Sequence, residues 1–135
     1  MLRFAANLTM MFNESAFMDR FAAAAEAGFA AVEYLFPYGH DPDLIAQALA
    51  ANGLQQALFN LPPGDWQAGD RGLASLADRK ADFRASVIPA LTYARATGVG
   101  RIHVMSGIAD RHNTTAAQTY CDSLRYLCDA AGPAG

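Results

Sequence analysis

Residues 30–61 read AAVEYLFPYGHDPDLIAQALAANGLQQALFNL, and this stretch decides the fold. Ala30 to Phe36 is a short, mostly apolar run stopped by Pro37 and Gly39, which reads as a strand. Asp41-Pro42 then supplies a capping side chain followed by a proline at the first helical position. The helix it opens runs to about Asn52, with Leu44, Ile45, Ala48 and Leu49 at the spacing of one inner face. Gly53 ends that helix, and Leu54 to Leu61 forms the next strand. Strand, helix and strand within so short a length make a βαβ unit, whose two strands lie parallel and whose crossover is right-handed.

The same alternation extends in both directions. Upstream, Arg3 to Leu8 reads as a strand, and Glu14-Ser15 opens a helix to about Ala27 with Phe17, Phe21, Ala24 and Ala25 on one face. Gly28 marks its end. Downstream, a polar loop from Pro62 to about Leu76 precedes a long helix from Arg79 to Thr97. Phe83, Val87, Ala90, Leu91 and Ala94 form its apolar stripe, and Pro89 is expected to kink or interrupt it. Gly98 and Gly100 close this helix, Arg101 to Ser106 forms a fourth strand, and Asn113 or Thr114 caps a last helix reaching about Ala131. Four strand–helix units in strict alternation define an α/β fold with a parallel sheet. Two architectures fit: a small open doubly wound sheet, or part of a (β/α)8 barrel, whose eight units usually need about 250 residues.

At 135 residues the chain has the size of one domain, taken as 1–135, with 53% hydrophobic and 17% charged residues. A net charge of −3 offers no basic stripe for nucleic acid and no attraction to an anionic membrane surface. Asp19, Arg20, Glu26 and Glu33 interrupt the Ala-rich N-terminal third, so no transmembrane span is expected. The N-terminus lacks the pattern of a secretory signal, and a cytoplasmic protein is the expectation. Cys121 and Cys128 would face the same way on a helix with Cα atoms about 10 Å apart, too far for a disulfide. They are expected as reduced thiols buried beside Leu124 and Leu127.

Parallel α/β folds place their ligands at the C-terminal ends of the strands. The connection from Asn60 through Pro62-Pro63-Gly64-Asp65-Trp66-Gln67-Ala68-Gly69-Asp70-Arg71-Gly72 is long for a βα loop. One reading is a lid, in which Arg71 or the backbone near Gly64 holds an anionic or hydroxylated ligand and Trp66 shields it. The other is a compact surface loop in which Asp65 and Asp70 make local turns. Glu33 lies in an apolar strand, where an unpaired carboxylate would be costly. It is read either as the ion-pair partner of Arg3 on the neighbouring strand or as a catalytic or pocket-floor carboxylate. His103 is placed mid-strand, as a hydrogen-bonded core residue or a catalytic one, and His40 and His112 fall in loops. No pair of histidines or cysteines has metal-ligand spacing, and no glycine-rich phosphate loop is present.

Several stretches together resemble the hydroxypyruvate isomerase family. They are Arg3-Phe4-Ala5-Ala6-Asn7-Leu8-Thr9-Met10-Met11-Phe12, Ala27-Gly28-Phe29, Val32-Glu33-Tyr34-Leu35-Phe36-Pro37-Tyr38, Asn60-Leu61-Pro62-Pro63-Gly64-Asp65-Trp66, Ala68-Gly69-Asp70-Arg71-Gly72 and Leu124-Arg125-Tyr126. His103-Val104-Met105-Ser106-Gly107 is more similar to the close relatives that isomerise 2-oxo-tetronates. The resemblance spans essentially the whole chain.

It implies the N-terminal half of a xylose-isomerase-like TIM barrel, and a ketose–aldose isomerisation such as hydroxypyruvate to 2-hydroxy-3-oxopropanoate, within carbohydrate and glyoxylate metabolism. It also implies a divalent metal, Mg or Mn, that polarises the carbonyl, and a glutamate that moves a proton through an enediolate. In the family these acids and metal ligands come from the second half of the barrel, beyond the length represented here. Of the three glutamates in this sequence, Glu14 and Glu26 fall on the first helix. No catalytic acid and no metal ligand carries over to this chain. What carries over is a substrate-side wall of Asn7, Phe36, Asn60, Asp65, Trp66 and Arg71, with Arg71 as the bidentate partner of the substrate carboxylate. The expectations are little or no isomerase activity for this chain alone, and self-association through open sheet edges. The other reading is a non-catalytic half-barrel module that binds a small acid or pairs with a partner half-barrel.

Overall fold

The computed structural model describes residues 2–132. Pro133, Ala134 and Gly135, where the sequence reading places the approach to a fifth strand, lie outside the described residues. Strands and helices alternate as β1 (Ala6–Asn7), α1 (Arg20–Glu26), β2 (Ala31–Tyr34), α2 (Pro42–Ala51), β3 (Gln55–Asn60), α3 (Lys80–Thr97), β4 (Ile102–His103) and α4 (Thr114–Ala131). The strands are parallel and hydrogen-bonded in the order β1-β2-β3-β4. That order separates the two architectures left open by the sequence. A doubly wound sheet reverses its strand order at a switch point, whereas a barrel adds each strand beside the last. The fold is half of a TIM barrel. Among the described residues no helix is long and apolar enough to cross a membrane.

Contacts divide the chain into two compact units. The first takes the residues up to Phe59 together with Tyr93–Ile102. In it Ala6 pairs with Val32 and Asn7 with Glu33, and β2 continues onto β3 with an irregularity between Val32 and Glu33. Along β2, Val32 and Tyr34 are buried while Ala31 and Glu33 are half-buried, as period-two alternation requires. Phe21 and Ala24 of α1 and Ile45 and Leu49 of α2 complete this core. Asp41 caps α2 by accepting from the Asp43 amide. Phe17 stacks on His40 and meets Phe21 and Tyr34 edge-on. Burial, with Tyr93 nearby, raises the phenols of Tyr34 and Tyr38 above their ordinary range. Tyr93 donates its own hydroxyl to the His40 carbonyl. Its phenol is raised by burial and then by the Asp41 charge.

The second unit takes Asn60–Thr92 and the residues from His103 onward. Leu61, Leu73, Ala74, Phe83, Val87, Ala90, Leu91, Ala116 and Leu127 are its buried apolar residues. Asn113 caps α4 by accepting from the Thr115 and Ala116 amides.

Several local expectations are corrected. The first helix begins with a 3-10 turn at Phe17–Asp19 rather than at Glu14-Ser15, because the Ser15 amide donates to the Phe12 carbonyl and closes a turn there. Pro89 does not interrupt α3, which runs unbroken. The carbonyl that the proline leaves without a donor, at Ala85, sits on an exposed part of the helix, open to solvent. Leu44 is 52% exposed, since a helix starting at Pro42 turns its third residue away from Ile45 and Leu49. Cys121 and Cys128 are exposed, free thiols. The buried face of α4 is instead Ala116, Thr119, Ser123 and Leu127.

Candidate functional site

Asn7 and Glu33 are register partners on adjacent strands, so their side chains leave the sheet side by side. The Asn7 Nδ2 donates to Glu33 Oε1 at 3.0 Å, and Asn7 Oδ1 accepts from the Thr9 amide at 3.0 Å. Thr9 Oγ1 in turn accepts from the Leu35 amide at 2.9 Å, tying the segments after β1 and β2 together. The expected Glu33–Arg3 ion pair does not form: Arg3 is exposed, and the carboxylate is satisfied by a neutral amide. Phe12, in the loop after β1, has a φ of 60°, an uncommon backbone state for a bulky side chain. Phe36 is half-buried, two residues past β2. These residues belong to the first unit.

The other candidates lie in the second unit. Asn60 ends β3 and is buried. Its Oδ1 is 3.2 Å from His103 Nδ1, and its Nδ2 faces the Met105 sulfur at 3.7 Å. The Leu61 amide donates to the His103 carbonyl at 2.9 Å, which holds the two backbones in register. His103 is thus not a core histidine but an exposed side chain at the C-terminal end of β4. His112 is exposed, as expected, and its Nε2 accepts from Arg111.

The loop after β3 is built from its own polar residues. Asp70 Oδ2 accepts from the Asp65 amide at 2.8 Å and from Arg79 Nη1 at 3.3 Å, and Asp65 Oδ1 accepts from the Ala68 amide at 3.0 Å. The two aspartates do make the local turns that one reading gave them. Arg79 also binds Asp82 at 2.5 Å, and that hydrogen bond, more than the Asp70 charge, raises its guanidinium. Arg71 lies over the Trp66 ring at 3.8 Å and donates through Nη1 to the Trp66 and Asp70 carbonyls, at 3.2 and 2.7 Å. The far end of the loop is fastened to the segment after β4. Gly72 bridges Ser106, Gly107 donates to the Arg71 carbonyl, and both the amide and hydroxyl of Ser75 donate to the Ser106 carbonyl.

Asn7 is therefore brought to Glu33, Asn60 to His103, and Asp65, Trp66 and Arg71 to one another. Sequence reasoning missed the Asp70–Arg79 anchor and the Ser75–Ser106 fastening. Among the described residues no three His, Cys, Asp or Glu side chains converge to hold a metal ion. This stretch therefore offers no site that fits the divalent metal which the family resemblance implies.

A family model described as a xylose isomerase-like TIM barrel matches residues 21–135. The chain belongs to that family. It is similar over its full length to a protein of Cupriavidus necator named 2-oxo-tetronate isomerase, at 55% identity and covering 53% of that protein. The hydroxypyruvate isomerase of Escherichia coli is 48% identical over 96% of this chain and 51% of its own length. A crystal structure from Brucella melitensis described as an AP endonuclease of family 2 superposes with a TM-score of 0.96 at 48% identity, covering 100% of this chain and 53% of that one. The chain thus spans about half the length of the curated relatives it matches.

Proposed function

We propose that this chain forms the substrate-side wall of a ketose–aldose isomerase acting on small hydroxy-oxo acids, hydroxypyruvate or a 2-oxo-tetronate. The observation that carries the reaction class is the similarity, over nearly all of this chain and about half of theirs, to proteins named for those isomerisations. In this reading the substrate carboxylate binds Arg71. Its Nη1 is engaged by two carbonyls, while Nε and Nη2 have no partner among the described residues. Those two groups present parallel N–H donors, the geometry that a carboxylate takes bidentately. Trp66, 38% exposed, lies against one face of the guanidinium and shields it from water. Asn60 and Asp65, of the same unit as Arg71, complete the wall. The catalytic glutamate and the ligands of a Mg or Mn ion belong, in this reading, to the part of the relatives' length that this chain does not match. We place the protein in the cytosol, where its two exposed thiols stay reduced.

The test pairs turnover with binding. This chain alone, with added Mg²⁺ or Mn²⁺, is expected to bind hydroxypyruvate without isomerising it. Arg71→Lys should weaken that binding about tenfold, because an ammonium cannot reproduce the fork. Robust turnover by the isolated chain would sink the claim that the catalytic acids lie elsewhere. Absence of binding would sink the wall. If a form extended to the relatives' full length isomerises neither acid, the isomerase reading falls and a non-catalytic acid-binding module takes its place. Nucleic acid, suggested by the description of the Brucella structure, is disfavoured in this reading by the net charge of −3.

A further inference from the structure

Asn60 and His103 settle a question of proton placement. The Asn60 side chain is 7% exposed, and its NH2 is oriented toward the Met105 thioether at 3.7 Å, a group that can only accept. Its Oδ1 therefore faces His103 Nδ1 at 3.2 Å, and an amide oxygen can only accept. The proton of a neutral His103 consequently sits on Nδ1, and Nε2 carries the lone pair. Nε2 has no hydrogen-bond partner among the described residues, and the side chain is exposed at the ligand end of β4. In that form Nε2 is an acceptor, which pairs with a hydroxyl and not with a carboxylate or a bare carbonyl.

We infer that His103 Nε2 is a specificity-determining contact that accepts a hydrogen bond from a hydroxyl of the substrate, with Asn60 as the positioning residue that fixes the imidazole tautomer. This rests on the small-acid reading above and deepens it. The wall distinguishes hydroxy-oxo acids from plain oxo acids of the same shape and charge, because only the former offer an O–H to Nε2.

Hydroxypyruvate and pyruvate are the probes, since they differ by that one hydroxyl. Titrated into the chain, hydroxypyruvate should bind about tenfold more tightly than pyruvate, and His103→Ala should abolish the difference while leaving pyruvate binding unchanged. Long-range proton–nitrogen spectra of the chain with labelled histidine, in alkaline buffer where imidazoles are neutral, should show His103 as the Nδ1–H form. The Nε2 signal should move on adding hydroxypyruvate and stay fixed with pyruvate. Asn60→Asp keeps the acceptor and should keep that tautomer, whereas Asn60→Leu should lose it. An Nε2–H tautomer in the unsubstituted chain overturns the inference, as does equal discrimination by the His103→Ala chain. Binding of both acids with equal affinity overturns the His103 contact alone. Binding of neither, with Arg71 unperturbed as well, overturns the small-acid reading on which it stands.

Discussion

At Gly72 the backbone stands at a φ of 106°, and a Cβ there would collide with the backbone carbonyl of Met105. The loop after β3 can approach the segment after β4 only because this position has no side chain. Gly72→Ala therefore combines overpacking with a disfavoured backbone state and should cost about 3 kcal/mol. Gly28, at a φ of 89° with no atom within 4 Å of a built Cβ, should lose only about 1 kcal/mol as Gly28→Ala. Urea unfolding of the two variants checks the contrast, and equal losses would count against the Met105 contact. Tyrosine protonation adds a pH dependence. Burial first, then Tyr93, raises Tyr34 and Tyr38 above the ordinary value of 10.0, so the folded chain holds these protons more tightly than the unfolded one. Their contribution is fully present below pH 10.0 and is lost as pH climbs from there through the raised values. The urea midpoint should fall over that alkaline range, and a midpoint that stays flat would contradict the burial of these phenols. The sequence showed a loop rich in glycine and aspartate. It did not show which glycine meets a neighbouring strand end, because that contact joins residues 33 positions apart.

Among the elements, α3 departs from its sequence reading at Pro89. Proline inside a helix removes an amide donor and crowds the preceding turn, yet α3 continues from Lys80 to Thr97. Phe83, Val87, Ala90 and Leu91 are all buried, and their packing outweighs the local penalty of Pro89. That penalty is still present in the folded state. Pro89→Ala should therefore stabilise the chain by about 1–2 kcal/mol, after allowing for the greater freedom of the unfolded alanine variant. A lowered thermal midpoint for this variant would show that the proline makes a favourable contact of its own. The ends of α2 and α4 were legible in advance. Asp41 and Asn113 cap them with bonds to amides two or three residues on, and this chemistry needs no tertiary partner. Strand ends were less legible. β1 and β4 have two residues each against the six that the sequence suggested for each, because a strand extends only as far as its ladder partners do.

At the scale of the sheet, the order β1-β2-β3-β4 places β1 and β4 at its two sides among the described residues. Ahead of β1, in irregular backbone, Leu2 and Phe4 are 84% and 71% exposed, apolar surface of the kind that pairs with other chains. The isolated chain should self-associate as its concentration rises, read as a growing mass by light scattering, and Phe4→Lys should suppress it. A constant monomer mass across the range would contradict association through this surface. The sequence by itself determined the four strand–helix units, the helix caps and the make-up of the loop after β3. Each depends on residue spacing or on hydrogen bonds within a few positions, and the same residues carried the family resemblance. Tertiary structure alone decided the strand order and the pairing of Asn7 with Glu33 and of Asn60 with His103. Those partners lie 26 and 43 residues apart, and they meet only once strand register is set by the packing of the whole sheet.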